Sequence, residues 1–190
     1  MSKRTARTRE AKKELTRARL LAVARREFAE RGFDGASVVA VCKRARVTHG
    51  ALYHHFPSKH ALFAAVVTEL HRELAARVVS AVERESGFAQ VEAACDAYLA
   101  ACSEPAVQAI LFRDGPRVLE HFGAIDAAVN EPFVTSLVQR WIDERVLRPL
   151  SAVVVARLIG AAIAEAGALE IALRYQAAGV LKTWLRALAR

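Results

Sequence analysis

Residues 37–59 read SVVAVCKRARVTHGALYHHFPSK, and this stretch has the pattern of two short helices joined by a tight turn. Ser37 and Thr48 are the expected N-cap residues, because a hydroxyl oxygen accepts hydrogen bonds from the free N–H groups of a first helical turn. Apolar residues recur at helical spacing over 38–45 and again over 47–56, which predicts one buried face for each helix. The pattern is typical of a helix-turn-helix.

The second of these helices has the composition of a helix that enters the major groove of DNA. Its first turn holds small residues, and bulky ones would hold the backbone away from the base edges. Phenol and imidazole groups follow one turn later and suit phosphate oxygens. Lys59 opens the next helix, where a lysine is unfavourable for the helix dipole but favourable for a phosphate. The predicted DNA-binding residues are Ser37, Lys43, Thr48, His49, Gly50, Ala51, Tyr53, His54, His55 and Lys59.

Residues 14–83 resemble the DNA-binding domain of TetR-family transcriptional regulators. The matching elements are Phe28-Ala29 with Gly32-Phe33, then Ser37-Val38, then Val47-Thr48-x-Gly50-x-Leu52-Tyr53-x-His55-Phe56-x-Ser58-Lys59. The resemblance implies an N-terminal helix packed on the helix-turn-helix, and a long fourth helix leading to a ligand-binding domain. It also implies that the last two long helices form a four-helix bundle with a second subunit.

Arg46 departs from the family pattern, which usually has glycine in the turn between the two helices. A left-handed residue other than glycine costs about 1–2 kcal/mol. The departure concerns the local turn geometry and leaves the expected fold unchanged.

The charge distribution also indicates a nucleic-acid partner. Residues 1–60 hold 15 Lys and Arg against 5 Asp and Glu, whereas residues 61–190 hold 13 against 15. The positive excess therefore lies with the helix-turn-helix, where a polyanion would bind. The alternative is a basic, solvated N-terminal segment with no partner.

The rest of the chain predicts an all-α protein, because glycine and proline are few and no strand-like alternation persists. The expected organisation is a basic flexible arm over 1–13, a helix-turn-helix domain over 14–57, a connecting helix over 58–84, and an effector-binding and dimerisation domain over 85–190. The arm either lies along DNA or is only a solubilising tail.

A helix expected over 151–173 is apolar almost all round and rich in small residues. Such a face lets another helix approach closely, which favours a homodimer that reads two DNA half-sites about 34–36 Å apart. The alternative is tight packing inside one subunit. The residues assigned to the dimer interface are Ala156, Gly160, Ala164 and Gly167.

The C-terminal region also holds candidates for a small-molecule pocket, because aromatic walls with a few polar groups describe such sites. They describe an ordinary core equally well. The candidates are Tyr98, Cys102, Phe112, Arg113, His121 and Trp141. Arg113 is the only clear cation among them, so the expected effector is apolar or weakly polar rather than strongly anionic.

Other classes of protein find little support in the sequence. No nucleophile, base and oxyanion-hole constellation has meaningful spacing, so no enzyme is expected. His54 and His55 diverge by about 100 degrees on a helix, and the three cysteines lack zinc spacing, so no metal and no cofactor are expected. The chain shows neither a signal peptide nor a membrane span, and we expect a cytoplasmic protein.

The combined expectation is a sequence-specific DNA-binding transcriptional regulator, a ligand-responsive repressor that binds a palindromic operator as a homodimer. One alternative is a DNA-binding protein of the same fold with a structural or cell-division role and no effector. A helical enzyme is the weaker alternative.

Overall fold

The regular elements of the described residues are helices, which confirms the all-α prediction. The computed structural model describes residues 2–190, and the side chains of residues 9–190. In chain order the helices are α1 (Ser2–Gly35), α2 (Val38–Ala45), α3 (His49–His55), α4 (Lys59–Val82), α5 (Ala89–Cys102), α6 (Pro105–Val107), a π-helix (Gln108–Asp114), α7 (Gly115–Val118), α8 (Phe122–Asp143), α9 (Ala152–Ala168) and α10 (Ile171–Ala187).

The first helix is longer than the sequence pattern predicts. It begins at Ser2 and so includes residues 2–13 of the expected flexible arm, while Met1 lies outside the described residues. Alanine, arginine, lysine and glutamate dominate this segment, and all four have high helix propensity. At the other end Gly32 has φ 68° and ψ 174°, a conformation that requires glycine and kinks the helix before Gly35.

An N-terminal unit comprises the residues up to Val67 together with residues 109–119. Its core contains three phenylalanines whose rings pack closely. Phe28 lies edge-on to Phe63 with ring centroids 4.9 Å apart, and Phe33 meets Phe63 at 5.2 Å. Leu52, on α3, is fully buried, so the helix-turn-helix is fixed to this unit through its apolar face.

A C-terminal unit comprises residues 68–108 and 120–190. Its main core brings buried residues of α4, α5, α8, α9 and α10 together, among them Val82, Val91, Val138, Ala156 and Leu185. Helices α8 and α9 pack along each other within this core. Among the described residues, no helix has the length and hydrophobicity that a membrane span requires.

A buried arginine sets the boundary between α9 and α10. The sequence pattern predicts one helix over 151–173, but α9 ends at Ala168 and α10 begins at Ile171. Arg174 donates from Nη2 to the Leu169 carbonyl at 2.8 Å and from Nη1 to the Cys102 carbonyl at 3.1 Å. A cation is favourable where carbonyls at the ends of helices converge. Arg174 and Cys102 are 72 positions apart in the chain, so local periodicity could not predict this contact.

Candidate DNA interface and effector cavity

The helix-turn-helix has the capping geometry that its sequence predicts. Ser37 Oγ accepts from the Ala40 N–H at 3.3 Å, and Thr48 Oγ1 accepts from the Ala51 N–H at 3.2 Å. Arg46 has φ 53° and ψ 48°, so this residue takes the left-handed conformation that glycine usually supplies in the turn. Its N–H closes the turn by donating to the carbonyls of α2.

Most of the predicted DNA-binding side chains lie on the exposed side of α2 and α3. Lys43, His49, Gly50, Tyr53 and His54 are exposed, and no atom lies within 4 Å of the position that a Cβ of Gly50 would occupy. The first turn of α3 is therefore open, as a helix that approaches base edges requires. Ala51 and His55 are half-buried, and burial lowers the pKa of His55.

Lys59 is more constrained than the other members of this set. Its Nζ donates to the Asp34 carbonyl at 3.2 Å and lies 4.8 Å from the centre of the Phe33 ring. An ammonium group has three donors, so a phosphate contact remains compatible with this position. The carbonyl contact holds the amine close to the start of α4.

A buried glutamate that no motif of the sequence marks connects α1 to α2. Glu27 is fully buried, and its Oε1 accepts from the Ser37 N–H at 3.2 Å. Its Oε2 accepts from Arg44 Nη1 at 2.8 Å, and Arg31 Nε lies 3.3 Å from Oε1. One carboxylate thus fixes both the N-cap residue and the outer side of α2 against α1.

A second carboxylate attaches the segment 109–119 to the end of α1 within the N-terminal unit. Asp114 Oδ2 accepts from the Phe33 N–H at 2.7 Å, and Arg113 Nε donates to Oδ1 at 3.1 Å. Burial by itself would raise the pKa of Asp114, but these hydrogen bonds outweigh it and hold that pKa below its ordinary value. Arg117 adds an ion pair to Asp34 at 2.9 Å.

The C-terminal unit contains a cavity of about 300 Å³. Its walls are mainly apolar and come from α4, α5, α8, α9 and α10. They include Val78, Val91, Cys95, Val134, Leu137, Val138, Trp141, Ile159, Gly160 and Ile163. A volume of this size is at the lower end of those that hold small-molecule ligands.

Polar groups are concentrated on the α8 side of this cavity. Asp126 and Asn130 line it, and Asn130 Nδ2 donates to Asp126 Oδ1 at 2.6 Å. The same amide nitrogen lies 3.0 Å from Nδ1 of His71, a buried residue of α4 whose Nε2 has no hydrogen-bond partner. Glu131 and Arg157 also line the cavity and form an ion pair at 2.9 Å.

Two of the six predicted pocket residues line the cavity, namely Tyr98 and Trp141. The other four do not line this cavity and occupy different surroundings. Cys102 is buried beside Tyr98 at the end of α5, and His121 is exposed before α8. Phe112 and Arg113 belong to the segment that packs in the N-terminal unit, where Arg113 is committed to Asp114.

The small residues assigned to the dimer interface lie on the side of α9 that faces the core and the cavity of their own unit. Ala156 is 3% exposed and Gly167 is buried, while Gly160 and Ala164 line the cavity. The residues are small because they border the cavity and the core of their own unit. The opposite side of α9 carries the exposed Val154 and Leu158.

The cysteines and histidines show no reactive or metal-binding grouping. Cys42, Cys95 and Cys102 are free and buried, and burial raises the pKa of Cys95 to about 12. In the part of the chain that the structure describes, no group of three His, Cys, Asp or Glu side chains could hold a metal ion.

Comparison with protein families identifies both regions of the chain. Residues 20–66 match the model of bacterial regulatory proteins of the tetR family, and residues 88–190 match the tetracyclin repressor-like C-terminal domain. The second match alone covers more than half of the chain. The chain belongs to the TetR family.

Individual TetR-family proteins are similar over different lengths. The HTH-type transcriptional regulator UidR of Escherichia coli K12 is 43% identical over 68 residues, which are 36% of this chain and 35% of UidR. The HTH-type transcriptional repressor AcnR of Corynebacterium glutamicum is 41% identical over 76 residues, 40% of this chain and 38% of AcnR. The chain therefore matches little more than a third of these curated relatives.

A solved TetR-family structure is similar over nearly the whole chain. The regulator from Pectobacterium atrosepticum is 32% identical, covers 94% of this chain and 96% of its own, and has a TM-score of 0.83. The fold shared with this TetR-family regulator thus includes the C-terminal unit.

The TetR-family motif predicts the candidate DNA-binding residues but not the side chains that hold their helices in place. Glu27 looks like one more solvated charge in the basic α1, and only its position four residues before Arg31 hinted at a pair. His71 gives a clearer signal, because it lies within the apolar stripe of Val67, Leu70 and Leu74 on α4. A histidine in such a stripe is a candidate for a buried polar contact.

Proposed function

We propose that this protein is a transcriptional repressor that binds a palindromic operator as a homodimer and releases it when a small molecule occupies the C-terminal cavity. The observation that carries the proposal is the open first turn of α3, where the exposed His49 and Gly50 stand beside the basic surface of α2. Such a turn reads base edges, and exposed cations beside it hold phosphates. We propose that the protein acts in the cytoplasm, because its DNA target is there.

The exposed apolar sides of α9 and α10 support dimerisation. Large apolar side chains that are about half exposed or more mark protein interaction sites when they lie together. The partner that covers these side chains is another copy of this chain. A two-fold dimer pairs the same surface of both subunits and presents two recognition helices to the DNA. The exposed apolar residues are Val154 (55% exposed) and Leu158 (68%) on α9, and Leu173 (49%), Val180 (49%) and Trp184 (62%) on α10.

The cavity supports control by a small molecule. An effector shifts the DNA-binding equilibrium only by the difference in its affinity for the two conformations. A mainly apolar cavity bordered by five helices can give such a difference, since its walls move when the helices do. The polar groups at Asp126 and Asn130 would orient the ligand.

The test begins with selection of duplexes from a random-sequence library by the full-length chain. We expect an enriched site with two-fold symmetry, bound as one dimer per duplex in sedimentation, with affinity that falls steeply with salt. Fluorescence anisotropy with this site then measures release by candidate small molecules. Enrichment of no sequence over random DNA would contradict a sequence-specific repressor, and release by no compound would favour a DNA binder without an effector.

A further inference from the structure

The charges that face the cavity do not cancel. Asp126, Glu131 and Arg157 are the charged residues of its lining. Arg157 Nε lies 2.9 Å from Glu131 Oε1, and the same guanidinium reaches the second carboxylate oxygen through Nη2 at 3.5 Å. This pair is neutral as a unit, so the remaining charge of the cavity is that of Asp126.

The surroundings of Asp126 leave its negative charge uncompensated. Its hydrogen-bond partner is the Asn130 amide, which is neutral. His71 Nδ1 lies 3.5 Å from Asp126 Oδ1, but the Asn130 amide reaches the same Nδ1 at 3.0 Å. The two amide protons of Asn130 serve both neighbours only if Nδ1 of His71 accepts, and an imidazole whose Nδ1 accepts is neutral.

The burial of His71 keeps it in this neutral state. The ring is 2% exposed, and burial lowers the pKa of His71 below its ordinary value although the nearby Asp126 acts in the opposite direction. Among the described residues, no Lys or Arg forms an ion pair with Asp126. The apolar cavity therefore carries a single unpaired carboxylate on one side.

We propose that the effector is a cationic amphiphile: an apolar body that fills the cavity, with one protonated nitrogen that pairs with Asp126. The Asp126 side chain is 39% exposed and so is accessible to an ammonium group, which would form a charge-assisted hydrogen bond with its carboxylate. An anionic amphiphile of the same length would place like charges together. This assignment rests on the proposed function and states which chemistry the same cavity selects.

The experiment compares three ten-carbon probes that differ only in their head group, namely decylammonium, decanol and decanoate at pH 7. Isothermal titration calorimetry with the full-length protein measures their binding. Decylammonium should bind at least tenfold more tightly than decanol, a difference of about 1.4 kcal/mol, and decanoate should bind most weakly. Equal affinities, tighter binding of decanoate, or no binding of any probe would overturn the assignment.

Two variants on α8 separate recognition by charge from burial of the chain. Asp126→Asn keeps the size of the side chain and an oxygen that can accept from Asn130, so it should remove the preference for decylammonium and leave decanol within twofold. Asp143→Asn is the matched control, because Asp143 is exposed, pairs with Gln139 and does not line the cavity. An Asp126→Asn protein that keeps the preference would contradict a pairing with this carboxylate.

Operator release by the same probes distinguishes this assignment from the proposed function. Preferential binding of decylammonium without release of DNA would support the recognition chemistry and contradict effector control. Release of DNA by a neutral or anionic compound, with no preference for the ammonium probe, would support effector control and overturn the cationic assignment.

Discussion

Replacing Glu27 should loosen α2 from α1, because this fully buried carboxylate is the contact that joins them through the N-cap residue. Glu27→Ala leaves the Ser37 N–H, which makes a part-buried contact, without its partner, at a cost of about 1–3 kcal/mol. The lost pair with Arg44 adds about 0.5–1 kcal/mol, since Arg44 is 48% exposed and regains water. We therefore expect a total loss of about 3 kcal/mol.

Glu27→Gln separates the contact with the Ser37 N–H from the ion pair with Arg44. The glutamine keeps the size and an oxygen for the Ser37 N–H, so its cost should be about 1 kcal/mol, mainly from the weaker contact with Arg44. Glu30→Ala is the matched control one turn along the helix. Its carboxylate is 61% exposed and 4.0 Å from Arg44, so stability should change by less than about 0.5 kcal/mol.

Urea unfolding followed by circular dichroism measures the three variants, with the slope of the transition checked for constancy. A loss of 3 kcal/mol corresponds to about 6–12 °C in melting temperature for a chain of this length. The N-terminal unit should lose its structure first in Glu27→Ala, and DNA binding should fall with it. If Glu27→Ala is as stable as Glu30→Ala, the buried carboxylate does not hold α2 against α1.

Three further substitutions test the interface, the dimer and the cavity. His49→Ala should change the preferred base at one or two operator positions by about 1–3 kcal/mol, whereas an equal loss on all single-base variants would show that His49 reads no base. Leu158→Glu should yield monomers in sedimentation with helical content retained, and an intact dimer would place this face elsewhere. Gly160→Leu should keep the dimer and DNA binding, because its Cβ enters open space. Its larger side chain should fill part of the cavity and weaken the binding of decylammonium at least tenfold, as measured by calorimetry, and unchanged binding would contradict this.

The pH dependence of stability provides a prediction for His71. The unfolded chain binds a proton at this residue below about pH 6.5, whereas burial holds the pKa of the folded residue lower. Folding stability should therefore decrease as the pH falls below 6.5, and His71→Gln should flatten this part of the profile. A His71→Gln protein with the same slope in urea unfolding at pH 5–7 would assign the effect to other groups.

The local features of this protein could be predicted from its sequence. Ser37 and Thr48 cap their helices as their hydroxyls predict, and α2 and α3 begin at the residue after each cap. These features depend on residues within one or two turns of each other, so the pattern of a short stretch is sufficient to predict them.

Contacts between residues far apart in the chain could not be predicted from such short patterns. Glu27 reaches Arg44 17 positions away, and His71 reaches Asn130 59 positions away. Neither pair has a spacing that marks it, because side-chain pairs predictable from sequence lie three or four residues apart on one helix. The buried carboxylate under α2 and the polar side of the cavity are consequences of how the helices pack.

The orientation of α9 shows most clearly the difference between features that a local pattern predicts and features that depend on helix packing. Its sequence determined a helix with a small-residue face and a large apolar face, and both faces are hydrophobic enough to be buried. Periodicity therefore identified the helix but could not say which face turns inward. The tertiary structure decided this, because the cavity and the core accept Ala156 and Gly160, while the large Leu158 remains on the surface of the chain.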